Sequence, residues 1–338
     1  MSSIQSRWFH ASTLVNSTLY ITGGTQRDNA GATSISDECL ALDLSQPWSI
    51  EKPLFMTMPR LSMPLSGHSM NKVPGSTQLL VAGGESTANL TIFPILLFET
   101  SGGSMQNIAD GTWISPTKPA NIAASPYRLY PASITTGKDG VLLHGGYPTT
   151  AVVNATVLSS LVTLKPSNNF APKYSAPVSM ALNSPALARH TMTLMPDGRA
   201  IILGGTTSQN VLTNLSMAYV MDTQASNASW NIVSLSGKPP DPRVAFSTVL
   251  VNTTTLLLYG GTSDFKSAFW VTFYLDLPTM AWSSPMAQGR APRRWGHTAT
   301  MAGSTMVVAF GIFIKAITTN PSKLAVIGMF GHVCIDKS

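Results

Sequence analysis

The sequence predicts an all-β fold assembled from repeated four-stranded units. Three observations carry that reading. An apolar run ends on two glycines five times, as LYITGG, LLVAGG, VLLHGG, IILGG and LLLYGG. A second element, usually containing a histidine, precedes each pair at near-constant distance. A third, an apolar strand leading toward a tryptophan or phenylalanine, follows it. Self-similarity at a fixed period is the signature of a repeat architecture.

Composition agrees. The 338 residues are 44% hydrophobic and only 11% charged, where soluble domains carry roughly 25%. The 26 glycines and 23 prolines suit short strands joined by turns. The net charge of +6 is spread singly along the chain, with one cluster at Arg290, Arg293 and Arg294. Nucleic-acid binding needs basic residues gathered on one element, so no such partner is expected. No run of about 18 apolar residues is present, so no membrane span is expected in this chain. The stretch from Met1 to Arg7 lacks the apolar core of an export signal.

The first strand of each unit reads RWFHAST at Arg7, SGHSM at Ser66, YPASI at Tyr130, RHTMT at Arg189, RVAFST at Arg243 and RRWGHTAT at Arg293. His10, His68, His190 and His297 share one repeat position, which Pro131 and Phe246 fill in the other two copies.

The second strand ends on Gly23-Gly24, Gly83-Gly84, Gly145-Gly146, Gly204-Gly205 and Gly260-Gly261, successive pairs lying 56 to 62 residues apart. In a sixth, degenerate copy, MVVAFGI, Gly311 reads as the first glycine and Ile312 replaces the second. These strands are apolar on consecutive residues, such as Ile201, Ile202 and Leu203. A strand covered on both faces has that pattern. Glycine at its end permits positive φ and close backbone approach.

The remaining strands lead to Trp48, Trp113, Phe170, Trp230 and Trp282, each a large apolar plug between neighbouring units. Four strands per unit of 50–60 residues, covered on both sides, describe the blades of a β-propeller. Six first- and second-strand pairs imply six blades over residues 1–315, with seven as the alternative. Residues 316–338 depart from the repeat, lacking both Leu-Asp and Trp, and either complete or truncate the last blade.

The constellation Arg-x-x-His, Gly-Gly and Leu-Asp…Trp resembles the kelch repeat, from residue 7 to about 312. In its Ser/Thr/Asn-rich loops the chain is similar to fungal secreted or membrane-anchored kelch-type proteins with a galactose-oxidase-like propeller. That resemblance implies a binding scaffold or, alternatively, a secreted copper-radical oxidase or carbohydrate-active enzyme. The oxidase chemistry needs two Tyr and two His converging on copper. Here four of the six histidines occupy one repeat position, His144 lies inside a Gly-Gly strand, and no His-x-His or Cys-x-x-Cys spacing occurs. No catalytic residue, metal or cofactor is therefore expected.

Arg7, Arg189, Arg243 and Arg294 recur near the first strand and admit two readings. They ring one channel mouth and attract anions, or each bonds carbonyls of an adjacent blade. Six Asn-x-Ser/Thr sequons, at Asn16, Asn89, Asn154, Asn214, Asn227 and Asn252, fall in turn-like segments and suggest glycosylation. Cys39 and Cys334 form a disulfide or remain buried thiols. The expected function is a non-catalytic scaffold that binds a protein or glycan through rim loops. An extracellular or cell-surface location is expected, with a cytoplasmic one as alternative.

Overall fold

The computed structural model describes residues 4–28, 30–45, 53–86, 95–99, 110–115, 128–137, 140–148, 156–165, 183–226, 228–284 and 292–313, with the backbone of 173–174 and 330–334. Every regular element among them is a β-strand. The chain is a β-propeller, and its blades follow one another in sequence order.

The first sheet pairs Ala11–Val15, Thr18–Thr22, Cys39–Asp43 and Phe55–Met58, all antiparallel. The next three repeat that order, opening with Ser66–Lys72, Ala132–Thr136 and Thr191–Leu194. The fifth, opening with Val244–Leu250, gains Ser236–Gly237 as a parallel fifth strand along Ala281–Ser283. The sixth pairs Thr298–Ala302, Thr305–Ala309 and Phe330–Cys334. Part of the divergent tail thus forms the third strand of the last sheet.

Apolar cores lie between the sheets, one for each neighbouring pair. Leu256 and Leu258 pack toward the fourth sheet, while Leu257 between them packs toward the sixth. Consecutive residues of one strand therefore enter two different cores, because side chains alternate across a strand. This is the physical reason for the unbroken apolar runs. The last core joins Leu19, Ile21, Leu40 and Leu42 to Val307, Ala309 and Phe310, so the first and last sheets pack together.

The glycine pair permits that stacking. Gly23 has φ +60, and a Cβ there would lie 2.3 Å from the Leu65 carbonyl oxygen and 2.8 Å from the His68 ring. Gly24 has φ +95, and its Cβ would lie 2.8 Å from the Cβ of His10. The first glycine admits the next unit and the second admits its own unit's first strand.

The sixth copy is registered one residue earlier than the sequence suggests. A Cβ on Gly311, at φ +89, would lie 2.7 Å from the His297 Cβ, which is the second-glycine environment. Phe310, at φ 50, holds the first position. Left-handed backbone costs a non-glycine residue roughly 1–2 kcal/mol. Around the Phe310 ring lie Phe55, stacked at 6.0 Å, and His10, edge-on at 5.4 Å, with the Arg7 guanidinium 5.1 Å away.

The tryptophans reach back to the preceding sheet. Trp113 Nε1 donates to the Pro59 carbonyl at 2.9 Å and Trp282 Nε1 to the Leu215 carbonyl at 2.8 Å. Trp230 packs edge-on to His144 at 5.4 Å. Trp48 and Phe170 lie outside the described residues.

Candidate functional site

Six residues with left-handed backbone sit at or just before the start of the first strands: Phe9, Gly67, Tyr130, Arg189, Ala245 and Gly296, with φ between 55 and 67. Their amides and carbonyls link unit to unit. Gly67 N–H donates to Phe9 O at 2.8 Å, Tyr130 to Gly67 at 2.8 Å and Arg189 to Tyr130 at 3.2 Å. Across the chain ends, Gly296 donates to Ala245 and Phe9 donates to Gly296, both at 2.9 Å. These bonds offset the cost of the left-handed residues and set the diameter of the central opening. Three ring positions carry Gly or Ala, so the chemistry of this mouth rests on Phe9, Tyr130 and Arg189.

One residue deeper come His10, His68, Pro131, His190, Phe246 and His297. Together the two layers line a cavity of about 120 Å³. Each imidazole reaches the preceding unit through Nε2. His68 meets Thr22 Oγ1 at 2.9 Å, His190 meets His144 Nδ1 at 2.9 Å and His297 meets Ser247 Oγ at 2.9 Å. His10 meets Thr298 Oγ1 of the last sheet at 2.9 Å. Burial pushes His68, His190 and His297 down to about 3 and His10 well below its usual value, so all four are neutral at pH 7. These histidines hold blades together. His144, which the sequence reading treats as an apolar strand residue, also bonds Ser184 Oγ at 3.1 Å.

The arginines divide differently from the sequence grouping. Arg7 Nη1 donates to Gly23 O at 3.1 Å, Arg243 Nη1 to Gly260 O at 3.0 Å and Arg294 Nη1 to Phe310 O at 2.9 Å. Their fourth equivalent is Arg128, bonded to Gly145 O at 3.1 Å, and not Arg189. All four are buried and bind carbonyls of their own unit, not of an adjacent blade; across blades Arg7 faces the Phe310 ring and Arg294 bonds the Tyr259 side chain. Arg7 also pairs with Glu38. The signal was spacing: Arg7, Arg128, Arg243 and Arg294 each stand three residues before the histidine position, and Arg189 only one. Arg189 is half-buried, on the channel ring itself.

An aromatic collar surrounds it. The Arg189 guanidinium lies 4.3 Å from the Tyr130 ring centroid, 5.1 Å from Phe265 and 5.4 Å from Tyr147. Phe265 meets Trp295 at 5.3 Å, Trp295 meets Phe9 at 5.6 Å, and Phe9 meets Tyr130 at 4.7 Å. Phe265 is 40% exposed, at the tip of a loop pinned by Asp264. The Asp264 carboxylate accepts from the amides of Lys266 and Ser267, at 2.9 and 2.7 Å, which holds it down at about 2. Burial raises the nearby Glu85 carboxyl, and Arg189 partly opposes that shift.

First strands run from the mouth to tight hairpins such as Asn16-Ser17 and 251–254 on the far side, which also carries third-to-fourth-strand connections such as 277–280. Second strands return to the mouth, where 25–38, 206–216 and 263–272 lead on to third strands.

Asn16, Asn214 and Asn252 are exposed, and Asn89, Asn154 and Asn227 lie outside the described residues. Cys39 is a free, buried thiol raised by burial to about 12. The Cys334 side chain lies outside the described residues. Among the described residues no group of three His, Cys, Asp or Glu is placed to hold a metal ion. No helix among the described residues is long and apolar enough to cross a membrane.

Comparison with known proteins agrees with this geometry. The family profile of the KLHDC2/KLHL20/DRC7 Kelch-repeats domain matches residues 189–322. Adagio protein 3 of Arabidopsis thaliana is 28% identical over 136 residues, 40% of this chain and 21% of that protein. Kelch domain-containing protein 3 of Bos taurus is 38% identical over 73 residues, 21% of this chain and 19% of that protein. The chain thus spans about a fifth of such relatives. The solved structure of YjhT superposes with a TM-score of 0.63 at 12% identity, covering 91% of both chains, a likeness of fold alone. The fold is a kelch-type β-propeller.

Proposed function

We propose that this chain is a six-bladed, non-catalytic kelch propeller that binds a protein partner through the face around Arg189. The observation that carries this reading is the aromatic collar around Arg189, built in part from the 263–272 connection at the mouth. Recognition on a rigid frame falls to such connections, and Tyr, Trp, Phe and Arg are the residues that dominate protein interfaces. The kelch relatives support a scaffold role. The test is crosslinking and mass spectrometry on three proteins: the wild type, a Phe265→Ser/Arg189→Gln variant of the mouth and an Ile232→Ser variant of an outer strand. The proposal expects partners lost from the mouth variant and kept by the outer-strand variant. Equal partner sets in all three contradict it.

A second reading, an exported glycoprotein, is favoured by Asn252. It is exposed, and its Oδ1 accepts from the Thr254 amide at 2.8 Å and hydroxyl at 3.1 Å, a turn that presents the sequon. A glycosidase-sensitive mobility shift of the full-length gene product, abolished by Asn252→Gln, tests it.

A further inference from the structure

We propose that the junction between the third and fourth blades is an acid-opened seam of the propeller, with His144 as its proton-sensitive link.

The hydrogen bonds single out this junction. The Ser184 hydroxyl gives its one proton to Ser159 O at 2.5 Å, so its oxygen accepts from His144 Nε2–H at 3.1 Å. A neutral imidazole has one N–H, so His144 Nδ1 is an acceptor, and His190 Nε2 donates to it at 2.9 Å. A second proton on His144 can enter only at Nδ1. There it would set two N–H groups against each other, and the bond between the blades would break. The other histidine junctions differ. His10, His68 and His297 meet hydroxyl oxygens through Nε2, and their buried Nδ1 atoms have no partner. A hydroxyl oxygen accepts from a charged ring as it does from a neutral one, so a proton at Nδ1 leaves those bonds in place.

The surroundings offer the added charge no compensation. His144 is faced by His190 and Arg128, and His190 by His144 and Arg128, with no carboxylate acting on either ring among the described residues. Two supports found elsewhere are also weaker here. Trp113 and Trp282 donate to a carbonyl at the preceding blade, whereas Trp230 Nε1 is buried without a partner. At the mouth, Arg189 N–H reaches Tyr130 O at 3.2 Å, where the other four bonds of that ring measure 2.8 or 2.9 Å. An opened seam therefore also parts the ring beside Arg189.

Linkage sets the size of the effect. Burial holds His190 at about 3 and His144 well below its usual value, so both are neutral while the seam is closed. Once opened, each ring regains a pKa near 6.5 and takes up a proton as the pH falls. Two such rings raise the opened population roughly thirtyfold between pH 6.5 and 5.5, and one ring about fivefold.

Two alanines on the fourth blade test it. Both are fully buried, Ala200 in the core shared with the third blade and Ala218 in the core shared with the fifth. Ala200→Cys and Ala218→Cys thus put one thiol on each side of the same blade. The whole chain is labelled with a pyridyl disulfide reagent, read by mass spectrometry and scaled to the rate of glutathione at each pH. Ala200→Cys is expected to label roughly thirtyfold faster at pH 5.5 than at pH 6.5, with Ala218→Cys nearly unchanged. Added to Ala200→Cys, His144→Thr copies the junction of Thr22 with His68 and should cut the rise to about fivefold. The double substitution His144→Leu/His190→Phe copies Leu203 and Phe246, which hold the same repeat positions and share a core, and should abolish the rise. Equal acceleration at both thiols, which marks global unfolding, overturns the seam, as does a rise that survives the double substitution. If the doubly substituted protein does not fold, His144→Thr decides, and an undiminished rise there overturns the proposal. The labelling uses no partner, so its result is independent of whether the mouth docks a protein.

Discussion

Nε2 of His10 lies 2.9 Å from Oγ1 of Thr298, a hydrogen bond between residues 288 positions apart that ties the first blade to the last. Gly311 N–H adds a second tie, donating to Arg7 O at 2.9 Å. Thr298→Val removes the hydroxyl and leaves a buried imidazole nitrogen without a partner. A loss of about 1–3 kcal/mol is expected, read as a lower urea midpoint. An unchanged midpoint would show that closure does not depend on this contact.

The same buried imidazoles make acid a specific stress. His10, His68, His144, His190 and His297 all have folded-state pKa values depressed by burial. Above pH 6.5 neither state binds a proton at these sites, so they do not affect stability. Below it the unfolded chain takes up protons that the folded chain refuses. Stability therefore falls from about pH 6.5 downward, by up to about 1.4 kcal/mol per pH unit for each histidine. Arg7, Arg128 and Arg294 face these rings and act in the same direction. His297→Phe should flatten the slope of stability against pH between 6.5 and 5 by one histidine's share, since Phe246 already fills that position in blade five. A slope the substitution leaves unaltered would mean His297 charges in the folded protein.

Glycine substitutions should separate turns from blade contacts. Gly145 and Gly75 both have positive φ, 65 and 71. A Cβ at Gly145 would lie 2.1 Å from Leu187 O, whereas at Gly75 nothing lies within 4 Å. Gly75→Ala is expected to cost about 1–2 kcal/mol from backbone strain alone. Gly145→Ala should cost several kcal/mol or prevent folding, measured by thermal melting of the two side by side. Equal losses would remove steric approach as the reason for the pairs.

The repeat was legible because both faces of each second strand are buried, which writes an unbroken apolar run, and because two backbones meet at each glycine pair. The last blade misled by one residue: Phe310 adopts the left-handed backbone that glycine holds elsewhere, and residue type alone does not reveal φ. The mouth was read only in part. Arg189 looked like one of a series because it adjoins a histidine, and Arg128 was passed over because Pro131 follows it where a histidine was expected. Phe265, Tyr147 and Trp295 come from three separate segments, so no local pattern in the chain announces the collar.

Stability should rank the arginines in the same way. Arg128→Met removes a buried guanidinium bonded to Gly145 O and to Ser160 O at 2.9 Å, leaving Gly145 O without that donor and Ser160 O with the Gly145 amide at 3.2 Å. A loss of about 2–4 kcal/mol is expected. Arg189→Met, half-exposed, loses the side-chain bond to Tyr130 and no backbone carbonyl bond among the described residues, and should cost about 1 kcal/mol or less. Chemical denaturation of the two variants measures the difference, and equal losses would contradict the division.

The most direct test of the account maps arginine reactivity with phenylglyoxal under native conditions, read residue by residue by mass spectrometry. Arg60, whose side chain is 65% exposed and paired with Asp37 at 2.5 Å, sets the rate for a surface guanidinium. The account predicts Arg189 modified, more slowly than Arg60, while Arg7, Arg128, Arg243 and Arg294 stay protected until the protein unfolds. Protection of Arg189 equal to that of the four, or ready modification of any of them, would contradict the placement of Arg189 as an accessible cation on the channel ring and of the four as buried ones.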